Sequence, residues 1–401
     1  MAQADEAVRR LLTQAPLAGP DELPALVAGI APLIDARDIT IFLADYAQVS
    51  LVPLTEPGRS AEAASIDSTL AGRAFTTLEA QRGPGRLWVP LLDGCERLGV
   101  VQFESDAELE ETTAHEVTAC VAQLLKNRRA YGDTVERLRR REPMQVAAEI
   151  VWGLLPPLTF AASDVVATAV LEPCYDVGGD VFDYALNGDV LSVALFDTCG
   201  HGIKASALAS LAVGAYRNAR RTGLDLAATA VSLDRWFSSE HRGLFATAIM
   251  IELDRRDGTL RTINAGHPGA QLVRDGKAIK ELPGPTALPL GLGYFSAEPP
   301  RVHEEMLHPG DRVLLYTDGV TDAVNLAGER FGLERLLDLV QRALNDELPA
   351  PETMRRLVQS VLDHHGEGLQ DDATAVLIEW RPARDPWANG RARSVGVEPT
   401  V

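Results

Sequence analysis

The chain is short of the residues that build covalent or soft-metal frameworks. Its four cysteines, Cys95, Cys120, Cys174 and Cys199, are scattered, with no CxxC pair and no Cys/His ligand spacing. That excludes a disulfide framework and a zinc site. Positive charge is also scarce: 38 Lys and Arg stand against 57 Asp and Glu, a net charge of −19. This balance argues against a nucleic-acid partner and favours solubility. No window reaches 18 consecutive apolar residues, and the N-terminal MAQADEAVRRLL lacks the apolar stretch of a signal peptide. No membrane span or membrane partner is therefore expected, and the chain is read as cytoplasmic. What is present suits folded domains. A length of 401 residues points to two or three of them, and 46% hydrophobic residues suffice for a core in each half.

The stretch from 172 to 206, EPCYDVGGDVFDYALNGDVLSVALFDTCGHGIKAS, organises the rest. It holds Gly178-Gly179-Asp180 with Asp183 close behind, then an apolar run from Val190 to Phe196 that ends at Asp197-Thr198-Cys199-Gly200-His201-Gly202. The run reads as a buried strand. From Gly202 the apolar positions Ala205, Leu208, Ala209, Leu211 and Ala212 take helical spacing. Asp197 thus sits where a rigid strand stops and a glycine turn begins. Two later turns repeat the theme. Arg312 to Thr317 leads into Asp318-Gly319 with Asp322 after it, and Asp371-Asp372 precedes a strand from Thr374 to Trp380. The plain reading of each Asp-Gly pair is a turn. The sharper reading is convergence. Two bare carboxylates about 4 Å apart repel by roughly 4 kcal/mol at an effective dielectric near 20, so protons or cations must lie between them. Oxygen donors suit hard divalent ions, Mg²⁺ or Mn²⁺.

In chain order, residues 1–20 read as an amphipathic N-terminal helix and 21–128 as a first folded unit. Asp21 is placed to cap a helix carrying Leu23, Leu26, Val27, Ile30 and Leu33-Ile34, and strands are expected at 39–43, 49–54, 87–91 and 98–103, with a short helix capped near Ser68. The segments IDSTLAGRAF (66–75) and WVPLLDGCERLGVVQF (88–103) resemble a GAF domain, a small-molecule or signal-sensing module. The resemblance implies a six-stranded sheet with room for a ligand pocket. It names no ligand, and an empty pocket used for dimerisation is the alternative.

A long helix starting near Glu110 carries Val117, Val121, Leu124, Arg128, Tyr131, Val135 and Leu138 at alternating 4/3 spacing. That is a heptad seam with a basic interruption. Residues 129–156 read as a helical linker, bent near Pro143 and ending at Pro156-Pro157. The arginine-rich part, 126–141, is either a solvated helix face or part of a parallel dimer seam. A homodimer through the first domain and the linker helices is expected. The second unit, 157–380, shows many strands in meander order with grouped helices, and 381–401 reads as a disordered tail. The fold class is α+β.

The second half resembles the PPM family, the protein phosphatase 2C-like metal-dependent serine/threonine phosphatases, and within it the bacterial branch that regulates sigma factors. The motifs are AAEIVWGLLPP, VGGDVFDY, FDTCGHGIKAS, NAGHPGAQLV, LPLGL, LLYTDGVTDA, FGLERL and QDDATAVLIEW, in that order. The resemblance implies a four-layer αββα sandwich with two Mn²⁺ or Mg²⁺ ions at one edge of the sheets. It implies Asp197 bridging both ions, the Thr198 carbonyl on one, Asp318 and Asp371 on the other, and Asp180 on a metal or its water. Asp197 and Asp180 are thereby the catalytic residues, with Asp183, Asp322, Asp372 and His201 in a supporting shell. Two positions depart from the branch pattern. Phe196 replaces a common glycine and has the bulk to crowd the turn. Cys199 replaces a common serine and has the chemistry to make the site sensitive to oxidation.

The resemblance implies hydrolysis of phosphoserine or phosphothreonine on a STAS-type anti-sigma-factor antagonist, regulated by the GAF domain. Two-metal chemistry activates a water for in-line attack. The leaving oxygen needs a proton, from a metal-bound water or from His201. His201 and His267 both have a structural reading as well, the latter in the tight turn Asn264-Ala265-Gly266-His267-Pro268. Gly291-Leu292-Gly293 reads as a loop, since it lacks the strand-GxGxxG-helix context. Two other functions fit the same chain: a sensor-scaffold that only binds partners, and a small-molecule phosphohydrolase.

Overall fold

The computed structural model describes residues 2–382 except 57, 60, 241–242, 275–276, 297, 347, 367–368 and 370. From residue 383 the expected tail lies outside the described residues. The chain divides into two compact units at Pro143/Met144.

The first unit has strands β1 (Asp38–Ala44), β2 (Ser50–Leu54), β3 (Ala64–Ser65), β4 (Gln81–Gly83), β5 (Arg86–Asp93) and β6 (Glu96–Glu104). They form one six-stranded antiparallel sheet in the order β3-β2-β1-β6-β5-β4. Its helices are α1 (Ala2–Gln14), α2 (Leu23–Ala28), α3 (Leu70–Thr77), α4 (Glu111–Arg129) and α5 (Thr134–Arg139). Strand β1 is apolar from Ile41 to Ala44 because both its faces are covered. Ile39, Ile41 and Leu43 join the core with α1, α2 and α4, while Phe42 and Ala44 face Ala71, Ala74 and Phe75 of α3. Each such large side chain contributes about 1.5–3 kcal/mol by leaving water. Helix α3 is capped by Thr69, whose Oγ1 accepts the Gly72 N–H at 3.0 Å, one residue later than the sequence suggests. Asp21 does not cap a helix. It lies in a 3-10 turn and accepts from the Thr134 hydroxyl.

The heptad seam is corrected here. Val117, Val121 and Leu124 of α4 and Val135 of α5 are buried in the unit's own core, and the helix breaks after Arg129 and again after Arg139. A 4/3 apolar stripe states that a helix has one buried face, not what buries it. The basic residues are likewise engaged internally. Lys126 pairs with Asp93 at 2.5 Å, and the Arg139 guanidinium lies 4.5 Å above the Tyr46 ring while donating to the Ala44 carbonyl. A cavity of about 20 Å³ beside Leu43, Leu98, Leu125 and Arg139 is room for one water, not for a ligand.

The second unit has strands β7 (Thr159–Ala162), β8 (Val165–Glu172), β9 (Asp180–Asn187), β10 (Val190–Thr198), β11 (Ala246–Asp254), β12 (Thr259–Ala265), β13 (Gln271–Arg274), β14 (Lys277–Glu281), β15 (His303–Met306), β16 (Arg312–Tyr316) and β17 (Ala373–Trp380). Its helices are α6 (Val146–Leu154), α7 (Gly202–Arg221), α8 (Leu226–Glu240), α9 (Asp318–Asp322), α10 (Leu333–Asn345) and α11 (Ala350–His365). Two antiparallel sheets result, β15-β12-β11-β10-β9 and β14-β13-β16-β17-β8-β7. Strand β10 again explains itself by its two faces. Leu191, Val193 and Leu195 meet Leu315, Val376 and Ile378 of the other sheet, whereas Ala194 and Phe196 meet Leu208, Ala212 and Tyr216 of α7. Helix α11 buries Met354, Leu357, Val358 and Val361 and lies along β8 and β17. Helix α6, expected in the linker, packs Ala148 and Val151 against Leu171 and Val177 of this second unit.

Candidate active site

The acidic turns meet at the ends of four central strands. Asp180 opens β9 and pairs in register with Asp197, near the end of the antiparallel β10. In the other sheet, β16 ends at Tyr316 just before Thr317-Asp318, and β17 begins just after Asp371-Asp372, with Tyr316 opposite Ala375. Hydrogen bonds tie the two sheets together at this edge. Asp372 Oδ2 accepts the backbone N–H groups of Gly178, Gly179 and Asp180 at 2.9, 2.5 and 3.0 Å. The Thr317 hydroxyl donates to Asp180 Oδ2 at 2.6 Å, and Thr317 Oγ1 accepts the Thr374 N–H at 3.0 Å. Glycine is required at 319, where a Cβ would stand 1.9 Å from the Asp372 carbonyl oxygen.

The electrostatics show a crowd of like charges. Burial, then Asp318, Asp371 and Asp372, push the Asp197 carboxyl up to about 7. Asp180 is raised well above the carboxylate range by burial, then by Asp372 and Asp197. Asp318 is raised by burial, then by Asp371 and Asp322, and Asp372 is raised chiefly by burial. The strongest influences on these groups are burial, one another, hydroxyls and backbone N–H groups, rather than any lysine or arginine. Desolvation and like charge both favour the neutral acid, so the set is strained towards protons or cations. The carboxylates share a field without closing on one point. Among the described residues no group of three or more His, Cys, Asp or Glu side chains stands ready to hold a metal ion.

The supporting shell expected from the sequence is only partly assembled. Asp372 anchors the loop that carries Asp180. Asp322 lies at the rim, paired with Arg330 at 3.1 Å. His201 is exposed in the residue before α7. Asp183 is not at the site. Three positions after Asp180 on a strand, it points to the opposite face, where Arg217 and Arg220 of α7 hold it at 2.7 and 2.9 Å. The Thr198 side chain is buried, its hydroxyl 3.1 Å from the carbonyls of Gly179 and Ala205. Phe196 does not crowd the turn. It is fully buried on the α7 side, edge-on to Tyr216 with ring centroids 5.8 Å apart. The loop at Gly291 and Gly293 donates its N–H groups to Asp234.

Residues 187–381 match the family model of Stage II sporulation protein E (SpoIIE). The second unit is a PPM-type phosphatase domain of the sigma-factor-regulator branch. The chain is similar to several known proteins. Protein IcfG of Synechocystis is 24% identical over 66% of this chain and 44% of its own length. Phosphoserine phosphatase RsbU of Bacillus subtilis is 22% identical over 59% of this chain and 70% of its own. The chain thus spans less than half the length of IcfG. A solved structure of the RsbU and RsbW domains of a Mycobacterium tuberculosis protein is 25% identical, covers 57% of this chain and 63% of that one, and superposes with a TM-score of 0.48.

Three residues of the PPM-type site carry no sequence signal strong enough to place them there. Thr317 orients Asp180. Thr247 lies opposite Asp197 in the β10–β11 register and draws its pKa down against the burial that raises it. His267 meets Thr247, with Nδ1 and Oγ1 2.7 Å apart. The partners of each lie on other strands, and only the folded register brings them together.

Proposed function

We propose that this protein is a divalent-metal-dependent protein phosphatase acting on phosphoserine or phosphothreonine. The observation that carries it is the convergence of Asp180, Asp197, Asp318, Asp371 and Asp372, from three separate stretches of chain, into one uncompensated acidic field. The all-oxygen donor set suits Mn²⁺ or Mg²⁺. Asp180, Asp197, Asp318, Asp371 and the Thr198 carbonyl are the groups that would hold a pair of ions. Such ions supply Lewis-acid stabilisation of phosphoryl oxygens and a more acidic water. The chain's own contribution is positional. Asp372 fixes the Gly178–Asp180 loop, Thr317 sets the Asp180 rotamer, and the exposed His201 is the protein's side chain for handing a proton to the leaving seryl oxygen. The two sheets and their flanking helices are read as the four-layer αββα arrangement of the family.

The substrate is inferred to be a phosphorylated STAS-type anti-sigma-factor antagonist, and the first unit a GAF-type regulatory domain acting in the cytoplasm. The similarity to RsbU, whose own name states phosphoserine phosphatase, supports the phosphoserine part of this reading. The test is phosphate release from phosphorylated STAS proteins with Mn²⁺ or Mg²⁺. Undiminished turnover in excess EDTA would rule the mechanism out. Faster release from free phosphoserine than from a phosphopeptide would favour a small-molecule phosphohydrolase instead. Binding of the STAS protein without phosphate release under every metal would establish the scaffold reading instead.

A further inference from the structure

A cation stands at the rim of the acidic edge, and the chemistry above gives it no part. Helix α9 is barely more than one turn long. Asp318 at its start and Asp322 at its end are four residues apart, so they share a face with Cβ atoms about 5–6 Å apart. Asp322 Oδ1 accepts from Arg330 Nη1 at 3.1 Å. The chain between these two residues is a built hairpin. Val324 bridges Arg330, Asn325 Oδ1 accepts the N–H groups of Ala327 and Glu329 at 2.9 Å each, and Gly328 makes the turn with a φ of 82°. Its exit folds back on the helix. The Phe331 N–H donates to the Ala323 carbonyl at 2.8 Å and the Gly332 N–H to the Thr321 carbonyl at 2.9 Å, with Phe331 buried. Arg330 is thus carried on a fixed backbone and tied to the helix that Asp318 begins, while its side chain is 70% exposed.

Stability is a weak reason for such a pair, since exposed ion pairs are worth about 0–1 kcal/mol. Electrostatics gives it a stronger one. A phosphomonoester carries between one and two negative charges at neutral pH. A bare carboxylate at the mouth of its site would repel it, and the Arg330 guanidinium cancels that charge on Asp322. A guanidinium also holds five N–H groups in a planar fork, and Asp322 takes one of them. The others belong to an exposed side chain that an anion can reach. One edge of the fork is held by a carboxylate, and the rest has the geometry that matches phosphate oxygens. We propose that Arg330 is a substrate-binding residue, its guanidinium oriented by Asp322 and its remaining N–H groups taking oxygens of the substrate's phosphoryl group. This inference rests on the phosphatase reading above and adds to it the side chain that receives the phosphate.

The test uses the full chain with Mn²⁺. It measures turnover of a phosphoserine peptide, inhibition by inorganic phosphate, Mn²⁺ affinity from the EPR signal of the free ion, and thermal melts. Arg330→Ala should lower kcat/KM and raise the inhibition constant of inorganic phosphate, each by about ten- to a hundredfold, the range of a hydrogen bond to a charged group. Arg330→Lys keeps a cation without the fork and should recover part of the loss. Mn²⁺ affinity in R330A should equal that of wild type or exceed it, because a positive charge has left the neighbourhood of the ions. The melting temperature should fall by no more than about 2–4 °C. A residue that merely held α9 in place would weaken Mn²⁺ and phosphate binding together, and that joint loss would overturn the proposal. An unchanged inhibition constant, or a larger fall in melting temperature, would overturn it as well. These outcomes bear on Arg330 alone. A wild-type chain that releases no phosphate from the peptide would overturn the phosphatase reading and this inference with it.

Discussion

The backbone N–H of Gly179 donates to Asp372 Oδ2 at 2.5 Å, joining positions 193 residues apart. With the N–H groups of Gly178 and Asp180 on the same oxygen, Asp372 holds the entry to β9 against the start of β17. A charged acceptor shared by three donors is worth more than a neutral one. Asp372→Ala should cost the second unit about 3 kcal/mol, since donors are left unpaired in a partly buried place. Phosphatase activity should fall with it, because Asp180 loses its anchor. Urea denaturation and phosphate release measure the two effects. Asp372→Asn keeps an acceptor oxygen and should recover part of the stability.

Gly319 makes a sharper test of the same edge. An added Cβ would meet the Asp372 carbonyl oxygen at 1.9 Å, and backbone atoms cannot swing aside as a flexible side chain does. Gly319→Ala should therefore displace the start of α9, and Asp318 with it. The expected stability loss is about 1–3 kcal/mol, as for overpacking. The expected activity loss is larger, about a hundredfold, as misplacement near 1 Å can produce. Wild-type kcat/KM in this variant would show that Asp318 has no exacting position to keep.

Much of this edge is legible in the sequence because strands and their acidic ends are local features. The run Val190–Phe196 announces a strand buried on both faces, and β10 spans Val190–Thr198. What is not legible depends on which surface lies opposite. The period of two along β9 separates Asp183 from Asp180, yet both read as acids near a glycine turn. Spacing along α4 gives an apolar stripe, but the sheet of its own unit covers it. The short outer strands β7 and β14 lack a periodic signal. Thr247, His267 and Thr317 are ordinary polar residues until the registers of three strands are known.

His267 should leave a mark on acid stability. Burial lowers its pKa from 6.5 to about 4. The unfolded chain therefore binds the extra proton first. The stability tied to neutral His267 is fully present above pH 6.5 and is lost as pH falls towards 4. The full window corresponds to about 3 kcal/mol. His267→Asn does not titrate, so wild type minus variant stability should decline by about that amount between pH 7 and pH 4. Parallel denaturation curves across that range would mean that the ring is hydrated or already charged in the fold.

Asp197 gives the opposite sign. Its carboxyl is raised from 3.8 to about 7 in the metal-free protein, so the native state keeps the proton that the unfolded chain has lost. The stability contributed by protonated Asp197 is present below pH 3.8 and disappears as pH rises through 7. At pH 8 in EDTA the wild-type site carries the full repulsion, and Asp197→Asn removes one member of the crowd. The variant should be more stable than wild type there by about 2 kcal/mol, allowing for solvent screening at a partly exposed group. The gain should vanish near pH 4. Adding Mn²⁺ should raise the melting temperature of wild type, since a ligand that binds only the folded state stabilises it, and should barely move the variant. Turnover should be nearly abolished. A variant less stable than wild type at pH 8 without metal would mean that the carboxylates are not in conflict, and the case for a cation at this edge would lose its physical basis.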